Sequence, residues 1–454
     1  MSSGRRSGLE RALRDAVRSG RLAPEVRLPA TRVLAVELGL SRGTVRAAYD
    51  QLIAEGYLAA RPGSGTVVAH RPQRQRDIRR RDRMPAAVRH DLRPGSPDPS
   101  TFPTAAWLRS ARRALSVAPA DAYGYGDPRG RIELRTALAE YLGRARGVLA
   151  HPDLVVISNG YVQALALLIS ALGETGATVT AMEDPGSAFH RDVVRRNGST
   201  IVPLPVDHRG ARTDLLGSSG FPPVGAVEVT PAHQYPTGET LHPTRRRALA
   251  EWARFTGGLV IENDYDGEFR YDRQPVGSIQ GTCPEHVAYL GTVSKTLGPG
   301  LRIGWMVLPP RLVEPVVEAK RHSDHHTETI GQLTLADMIT SHAYDRHVRA
   351  CRLRYRHRRD VLLSDVAASG FPVHGIAAGL HALIRLPAGG PTESDVLRVA
   401  EEHGLAVGCL GTRWHAPGDH PQGLVVGYGT PREHAYPAAL DALAQVLRAA
   451  RHAH

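Results

Sequence analysis

Lysine is almost absent from this chain. Its 454 residues include 57 Lys and Arg together, and only Lys295 and Lys320 are lysine. Any imine with an aldehyde therefore has two candidate amines, because a guanidinium stays protonated and is a poor nucleophile. Cysteine is nearly as scarce. Cys283, Cys351 and Cys409 lie far apart without metal-ligand spacing, which excludes a disulfide framework and points to a reducing cytoplasm. Long apolar runs are missing too: nothing is long enough to cross a bilayer, and the first 30 residues carry charge and helical patterning in place of a signal-peptide stretch. No membrane partner is expected. Of the 22 His, His322, His325 and His326 form a loop cluster without an HExxH pattern, so no metal is expected either. At this length, with 42% hydrophobic residues, the chain should hold two or three domains.

Acidic residues are under-represented at one end. Residues 1–90 contain 19 Arg against 8 Asp and Glu, a surplus of 11 out of the net +12. A basic N-terminal module joined to a near-neutral body suggests that the module meets a polyanion, above all nucleic acid.

The first 70 residues have a folded pattern. Leu9, Leu13, Ala16 and Val17 recur at helical spacing up to Gly20. After Leu28-Pro29, residues Ala30 to Leu38 read as a second helix with Val33, Leu34 and Leu38 inward. Gly39-Leu40-Ser41 then turns the chain, and Ser41 is placed to cap a third helix from Arg42 to about Glu55, with Val45, Ala48, Tyr49 and Leu52 facing the core. Helix, tight turn and helix is the arrangement that lays a second helix into the major groove. Arg42, Thr44 and Arg46 lie near the start of that helix, where side chains reach base edges. Two short strands around Pro62-Gly63-Ser64-Gly65 give a wing. The segments Leu28-Pro29-Ala30-Thr31-Arg32, Gly39 to Arg46 and Glu55 to Thr66 resemble a GntR-type winged helix across residues 1–70. That resemblance implies DNA contacts from Arg32, Ser41, Arg42, Thr44, Arg46 and Gly65. Residues 71–90 are Arg-rich without apolar periodicity and read as an extended, self-repelling linker.

From residue 91 to 454, short apolar strands alternate with amphipathic helices. The strands are expected at 155–158, 178–182, 201–206, 224–229, 259–262, 288–290 and 303–308, which suggests an α/β sheet covered on both faces. Ligands gather beyond the carboxyl ends of such strands. Ser158-Asn159-Gly160-Tyr161 opens a helix there, whose first amides suit a phosphate. Lys295, flanked by Thr292 and Ser294 hydroxyls and followed by Arg302, suits an aldehyde cofactor carrying a phosphate, namely pyridoxal 5′-phosphate.

The order of motifs from Tyr123-Gly124-Tyr125-Gly126 onward resembles type I aminotransferases, with a large sheet domain and a small C-terminal domain. With its GntR-type head, the chain resembles MocR/GabR-type transcriptional regulators. The resemblance implies that Lys295 carries the cofactor imine and Tyr265 faces the cofactor's phenolic oxygen. It gives the phosphate to Thr292, Arg302 and the amides of Gly160, Tyr161 and Val162, and places Tyr125 at the cofactor of a second subunit in a homodimer.

Three positions depart from that family. Asn263 stands where an ionised Asp keeps the pyridine nitrogen protonated, and Asp264 points to the opposite face of its strand. Ser187 stands where a stacking aromatic is common, with Phe189 two residues off, and Val162 replaces the usual Gln. These departures favour a regulator that binds double-stranded DNA and senses an amine or amino acid. The alternatives are a working aminotransferase with an accessory DNA-binding head and a DNA-binding protein with a cofactor-free body. An effector carboxylate calls for an Arg, for which Arg385 and Arg413 are candidates.

Overall fold

A computed structural model describes residues 2–61, 65–69, 88–271 and 276–452. The chain divides into two compact units, Met1–Met84 and Pro85–His454. Most of the expected linker, residues 71–87, lies outside the described residues, as do Pro62, Gly63 and Ser64 at the wing tip.

The first unit is α1 (Ser2–Arg18), α2 (Thr31–Glu37), α3 (Arg42–Ala54) and an antiparallel pair, β1 (Leu58–Arg61) with β2 (Gly65–Val68). Val45, Ala48, Tyr49 and Leu52 of α3 are buried against Leu9, Leu28, Ala35 and Tyr57, as their spacing requires. The inward face of α2 differs from expectation. Val33 and Leu38 are each 48% exposed, while Ala35 is buried and Leu34 packs partly against the core. The helix has only seven residues, so Ala35 and Leu34 fill its one inward stripe. Val33 lies about 100° further round, and Leu38 is already the C-cap, outside the helical turn.

The second unit begins with β3 (His90–Leu92), α4 (Thr104–Val117), α5 (Ile132–Arg146) and β4 (Val155–Ser158). It continues through α6 (Tyr161–Glu174), β5 (Val179–Asp184), α7 (Ala188–Arg196), β6 (Thr200–Asp207), β7 (Gly210–Ala211) and β8 (Ala226–Val229). Next come α8 (Pro243–Thr256), β9 (Leu259–Asp264), β10 (Val287–Thr292), β11 (Gly304–Val307), α9 (Pro310–Ser323), α10 (Thr329–Thr340) and α11 (Ala343–Ala368). The chain closes with β12 (Val373–His374), β13 (His381–Arg385), α12 (Glu393–Glu402), β14 (Leu405–Cys409), β15 (Gly423–Gly427) and α13 (Tyr436–His452).

The large sheet runs β4-β11-β10-β9-β8-β5-β6-β7. Its centre is parallel and β11 and β7 are antiparallel, so the sheet is mixed. Strands β4, β5, β8, β9 and β10 are apolar and almost wholly buried, because helices cover both faces. All seven expected strands are present with ends shifted by a residue or two. The second sheet, β12-β13-β15-β14-β3, forms the small C-terminal domain, and β3 joins it by pairing in parallel with β14. The carboxyl ends of β4, β5, β8, β9 and β10 meet at one edge of the large sheet.

Candidate functional site

Lys295 sits in the turn after β10. Its Nζ donates to the Gly95 carbonyl, and burial lowers its pKa while the Asp266 carboxylate pulls it back up. A lysine whose charged form is disfavoured holds its lone pair closer to use as a nucleophile. Thr292 donates its hydroxyl to the Ile303 carbonyl at 3.0 Å and meets Ser294 Oγ at 2.8 Å, closing the turn. Arg302 takes a left-handed backbone, φ +53°, and its guanidinium bonds the Asn159 carbonyl. A Cβ on Gly160, φ +84°, would stand 3.1 Å from that guanidinium. Gly160 thus leaves room for Arg302 across the start of α6, on a left-handed backbone that favours glycine. Gly160, Tyr161 and Val162 contribute the first amides of this helix, which lack partners within it. The Val162 side chain packs into the core, so only its amide is available.

Tyr265 donates to the His233 carbonyl at 3.1 Å, and burial holds its phenol well above the ordinary range, so it stays protonated. Around it stands a group that the sequence did not reveal. His233 Nδ1 is 2.8 Å from Asp266 Oδ2, and the His233 ring lies 4.8 Å from that of His381. His381 Nε2 is buried without a partner, and burial, then His233, keep this imidazole neutral, with Lys295 adding to the effect. Among the described residues, His233, Asp266 and His381 also form the one group with metal-ligand geometry. The Lys295 charge acts on both Asp266 and His381, which makes the place poor for a second cation. These residues span about 150 positions, so spacing gives no signal for them.

Asn263 is buried and donates from Nδ2 to Glu228 at 2.9 Å, while its Oδ1 has no partner. Glu228 also accepts from Tyr161 at 2.9 Å. Burial raises the pKa of Glu228 and, together with Glu228, pushes Glu183 up to about 8. Asp264 does not stand in for Asn263. It pairs with Arg146 at 2.7 Å and Tyr289 at 2.6 Å on the other side of β9. Ser187 is spent on capping α7 through the His190 amide. Phe189 is 61% exposed and leaves the site, whereas the His190 ring packs 4.7 Å from Tyr161. Burial and the nearby Lys295 bring the His190 pKa down to about 4, so a neutral ring faces the site one turn beyond Ser187. Tyr125 is 88% exposed and lies 5.0 Å from the His325 ring.

In the first unit, Ser41 caps α3 by accepting from the Thr44 amide at 3.1 Å, and the two hydroxyls are 2.8 Å apart. Arg32, Arg42 and Arg46 are exposed, and Arg46 is only loosely paired with Asp50 at 3.8 Å. Gly65 opens β2 with φ +84° beside the Arg27 guanidinium.

Residues 95–412 match the family described as aminotransferase class I and II, and residues 6–68 match the bacterial regulatory proteins of the gntR family. The probable rhizopine catabolism regulatory protein MocR of Rhizobium meliloti is 33% identical, covering 92% of this chain and 88% of that protein. The chain belongs to the MocR/GabR-type transcriptional regulators. The pyridoxine biosynthesis regulator PdxR of Corynebacterium glutamicum is 30% identical over 94% of this chain and 92% of its own length. Among solved structures, an archaeal alanine:glyoxylate aminotransferase superposes with a TM-score of 0.71 at 25% identity, covering 79% of this chain and 91% of the enzyme.

As a MocR/GabR-type protein, the chain is a DNA-binding transcriptional regulator whose aminotransferase-like body takes pyridoxal 5′-phosphate. The residues fit that cofactor. The Gly160 helix start with Arg302 across it suits a phosphate, the partnerless Asn263 Oδ1 suits a ring N–H, and Lys295 offers a buried amine whose charged form is disfavoured.

The run Val316-Val317-Glu318-Ala319-Lys320-Arg321 reads in sequence as a helix with Lys320 on its polar, surface face, but Lys320 is 0% exposed. Its ammonium contacts Asp324 at 2.8 and 3.0 Å and Thr327 at 3.0 Å. Asp324 Oδ2 in turn accepts from Asn159 and Gln163, each at 2.7 Å. The lysine tail lies along the buried side of α9, and its charge is matched by Asp324 one turn on, a pairing that helical periodicity alone does not show. Lys320 thereby braces the loop that leads into α6. Lys320→Met should cost roughly 3 kcal/mol of unfolding free energy, because Asp324 loses its counter-charge. It should also weaken uptake of pyridoxal phosphate, with Lys320→Arg milder in both. Denaturant melts and cofactor titrations indistinguishable from the unmodified protein would remove this bracing role.

Proposed function

We propose that this regulator senses a primary amine at Lys295 and turns the cofactor over slowly or not at all. The observation that carries this reading is Asn263: a neutral amide, fixed by Glu228, stands where an enzyme needs a carboxylate. Bound pyridoxal phosphate supplies an aldehyde carbon that condenses reversibly with primary amines. Lys295 would be the amine that meets that carbon in the absence of effector. The Tyr265 phenol would donate toward the cofactor's phenolic oxygen, and Arg302, Thr292 and the Gly160–Val162 amides would hold its phosphate. His190 supplies the ring face that Ser187 lacks. An effector amine competes with Lys295, which on release keeps the Gly95 carbonyl as its hydrogen-bond partner. Gly95 follows β3, and the chain runs back from β3 through residues 71–90, the linker, to the winged helix at residues 1–70. The residue that Lys295 bonds thus lies five positions beyond the linker in sequence.

A homodimer fits the exposed apolar residues Leu108, Val117, Tyr123, Tyr125 and Ile132, which a second copy would cover while Tyr125 reaches its cofactor phosphate. The scarcity of cysteine favours the cytoplasm. Among the described residues, no helix is long and apolar enough to cross a membrane. The decisive experiment titrates the loaded protein with an amine panel, reading both the visible spectrum and operator affinity. A spectrum that shifts without any change in DNA binding would break the sensing reading.

At the DNA, Arg42 and Arg46 project from the start of α3, with Arg32, Ser41, Thr44 and Gly65 contributing around them. Arg42→Ala or Arg46→Ala should each cost roughly 1–3 kcal/mol at a specific site. Affinity should fall steeply with salt as counterions are released. Gel-shift titrations with no loss for either variant would move recognition off α3.

A further inference from the structure

Three buried arginines of the second unit are matched by carboxylates. Arg146 pairs with Asp264 at 2.7 Å, Arg245 with Asp207 at 2.5 Å and Arg358 with Glu433 at 2.9 Å. Arg246, the next residue of α8 after Arg245, has no such pair among the described residues. Its Nη1 is buried without a hydrogen-bond partner, and its Nη2 donates to the Gly277 carbonyl. Burial lowers its pKa, and the carboxylate that chiefly pulls it back up is Glu262. Glu262 already accepts from the Ile279 and Gln280 amides, each at 2.9 Å, and burial pushes its own pKa up to about 7. It is therefore no full counter-ion for Arg246.

Arg246 lines a cavity of about 800 Å³, within the span of small-molecule sites. Arg247, Glu251 and Arg254 line it too, because one, five and eight residues on from Arg246 fall along the same side of α8. On this helix three guanidiniums thus meet one carboxylate. Arg254 donates to the Thr282 carbonyl at 2.7 Å, which positions the side chain without cancelling its charge. Arg270 closes the cavity from beyond β9, with Nη1 on the Ala232 carbonyl at 3.1 Å. Leu241, Ala250 and Val276 add an apolar wall.

A buried N–H with no acceptor is costly, and an oxyanion is the group that answers a guanidinium. A carboxylate offers its two oxygens to a single fork. A phosphate monoester brings about two negative charges and three acceptor oxygens, enough for several arginines at once. Its organic part would lie on the apolar wall. We propose that this cavity binds the phosphate of a phosphorylated small molecule, through Arg246 with Arg247 and Arg254. The site stands apart from the amine reading, since none of its residues lies in the Lys295 turn or at the start of α6.

The test titrates full-length protein loaded with pyridoxal phosphate, by calorimetry, with phenyl phosphate, inorganic phosphate and benzoate. The visible spectrum is followed in parallel. Phenyl phosphate should bind tightest and leave the chromophore unchanged, which places it outside the cofactor site. Arg246→Met should raise its half-saturating concentration by roughly tenfold or more, as loss of a charge-assisted bond requires. Arg246→Lys should keep part of the affinity. Arg247 is exposed, so Arg247→Met should weaken binding without touching the fold, and it decides the matter if Arg246→Met melts early. Arg42→Ala, on the DNA-binding head, should bind phenyl phosphate as before. No binding of phenyl phosphate, or binding unchanged in both Arg246→Met and Arg247→Met, overturns the site. Benzoate or inorganic phosphate binding as tightly as phenyl phosphate overturns the phosphate-ester ligand. Operator affinity lost in Arg246→Met while phenyl phosphate still binds would make the cavity a contact for DNA and sink the proposal.

Discussion

Lys295→Ala should abolish the visible absorbance of the cofactor-loaded protein and leave nothing for borohydride to trap. The effect should be complete, because the chain offers only one other lysine. Lys320 is engaged with Asp324 and Thr327 and has no free face. Lys295, by contrast, is poised: burial disfavours its charged form, and among the described residues it donates to the backbone carbonyl of Gly95 with no carboxylate bonded to it. Lys320→Arg, which keeps the counter-charge of Asp324, should retain the chromophore. Peptide mapping after borohydride reduction checks the site directly. A reduced adduct on Lys320, or a chromophore that persists in Lys295→Ala, would overturn the assignment.

Much of this arrangement was legible in the sequence because it depends on local order. Ser41 caps α3 and Val45, Ala48, Tyr49 and Leu52 are buried because capping and helical spacing are short-range properties. The seven strand positions followed from apolar runs bounded by turns, and Asp264 turned away from Asn263 as strand alternation demands. What stayed hidden was set by long-range contacts. Lys320 reads as surface until the carboxylate one turn later is seen to bind the Asn159 loop. His381, on β13 of the small sheet, comes together with His233 and Asp266, in the loops after β8 and β9 of the large sheet, only in the folded chain. Arg385 and Arg413 are equal as letters, and only the fold puts Arg385 at the exposed end of β13 and Arg413 over the Tyr235 ring. The inward stripe of α2 was only partly right for a different reason: a seven-residue helix offers too little periodicity to separate Leu34, which packs inward, from Val33 and Leu38, which do not.

Asn263→Asp should convert part of the sensing into turnover. Removing a proton from the carbon beside the imine leaves charge that a protonated pyridine ring absorbs, and an anionic partner keeps that ring protonated. Asn263 offers only a neutral acceptor through Oδ1, since its Nδ2 is committed to Glu228. The substitution supplies a carboxylate but also sets it against Glu228, where the lost N–H leaves two acceptors facing each other. Glu228 is already hard to ionise, because burial raises its pKa. The pair should therefore share a proton, as like charges at close range must. Some of the new charge is lost in that sharing, and stability falls by roughly 1–3 kcal/mol for the broken buried bond. A second change, Glu228→Gln, supplies a neutral donor to the new carboxylate and keeps an acceptor for Tyr161. The expected order of half-transamination rates is the unmodified protein lowest, Asn263→Asp higher, and the double variant higher again by roughly tenfold, about 1.4 kcal/mol of barrier. Single-turnover spectroscopy following conversion to the pyridoxamine form gives the order. Conversion by the unmodified protein within about 1–10³ s⁻¹, the span of ordinary enzymes, would make it a working aminotransferase and remove Asn263 as the residue that separates sensing from catalysis.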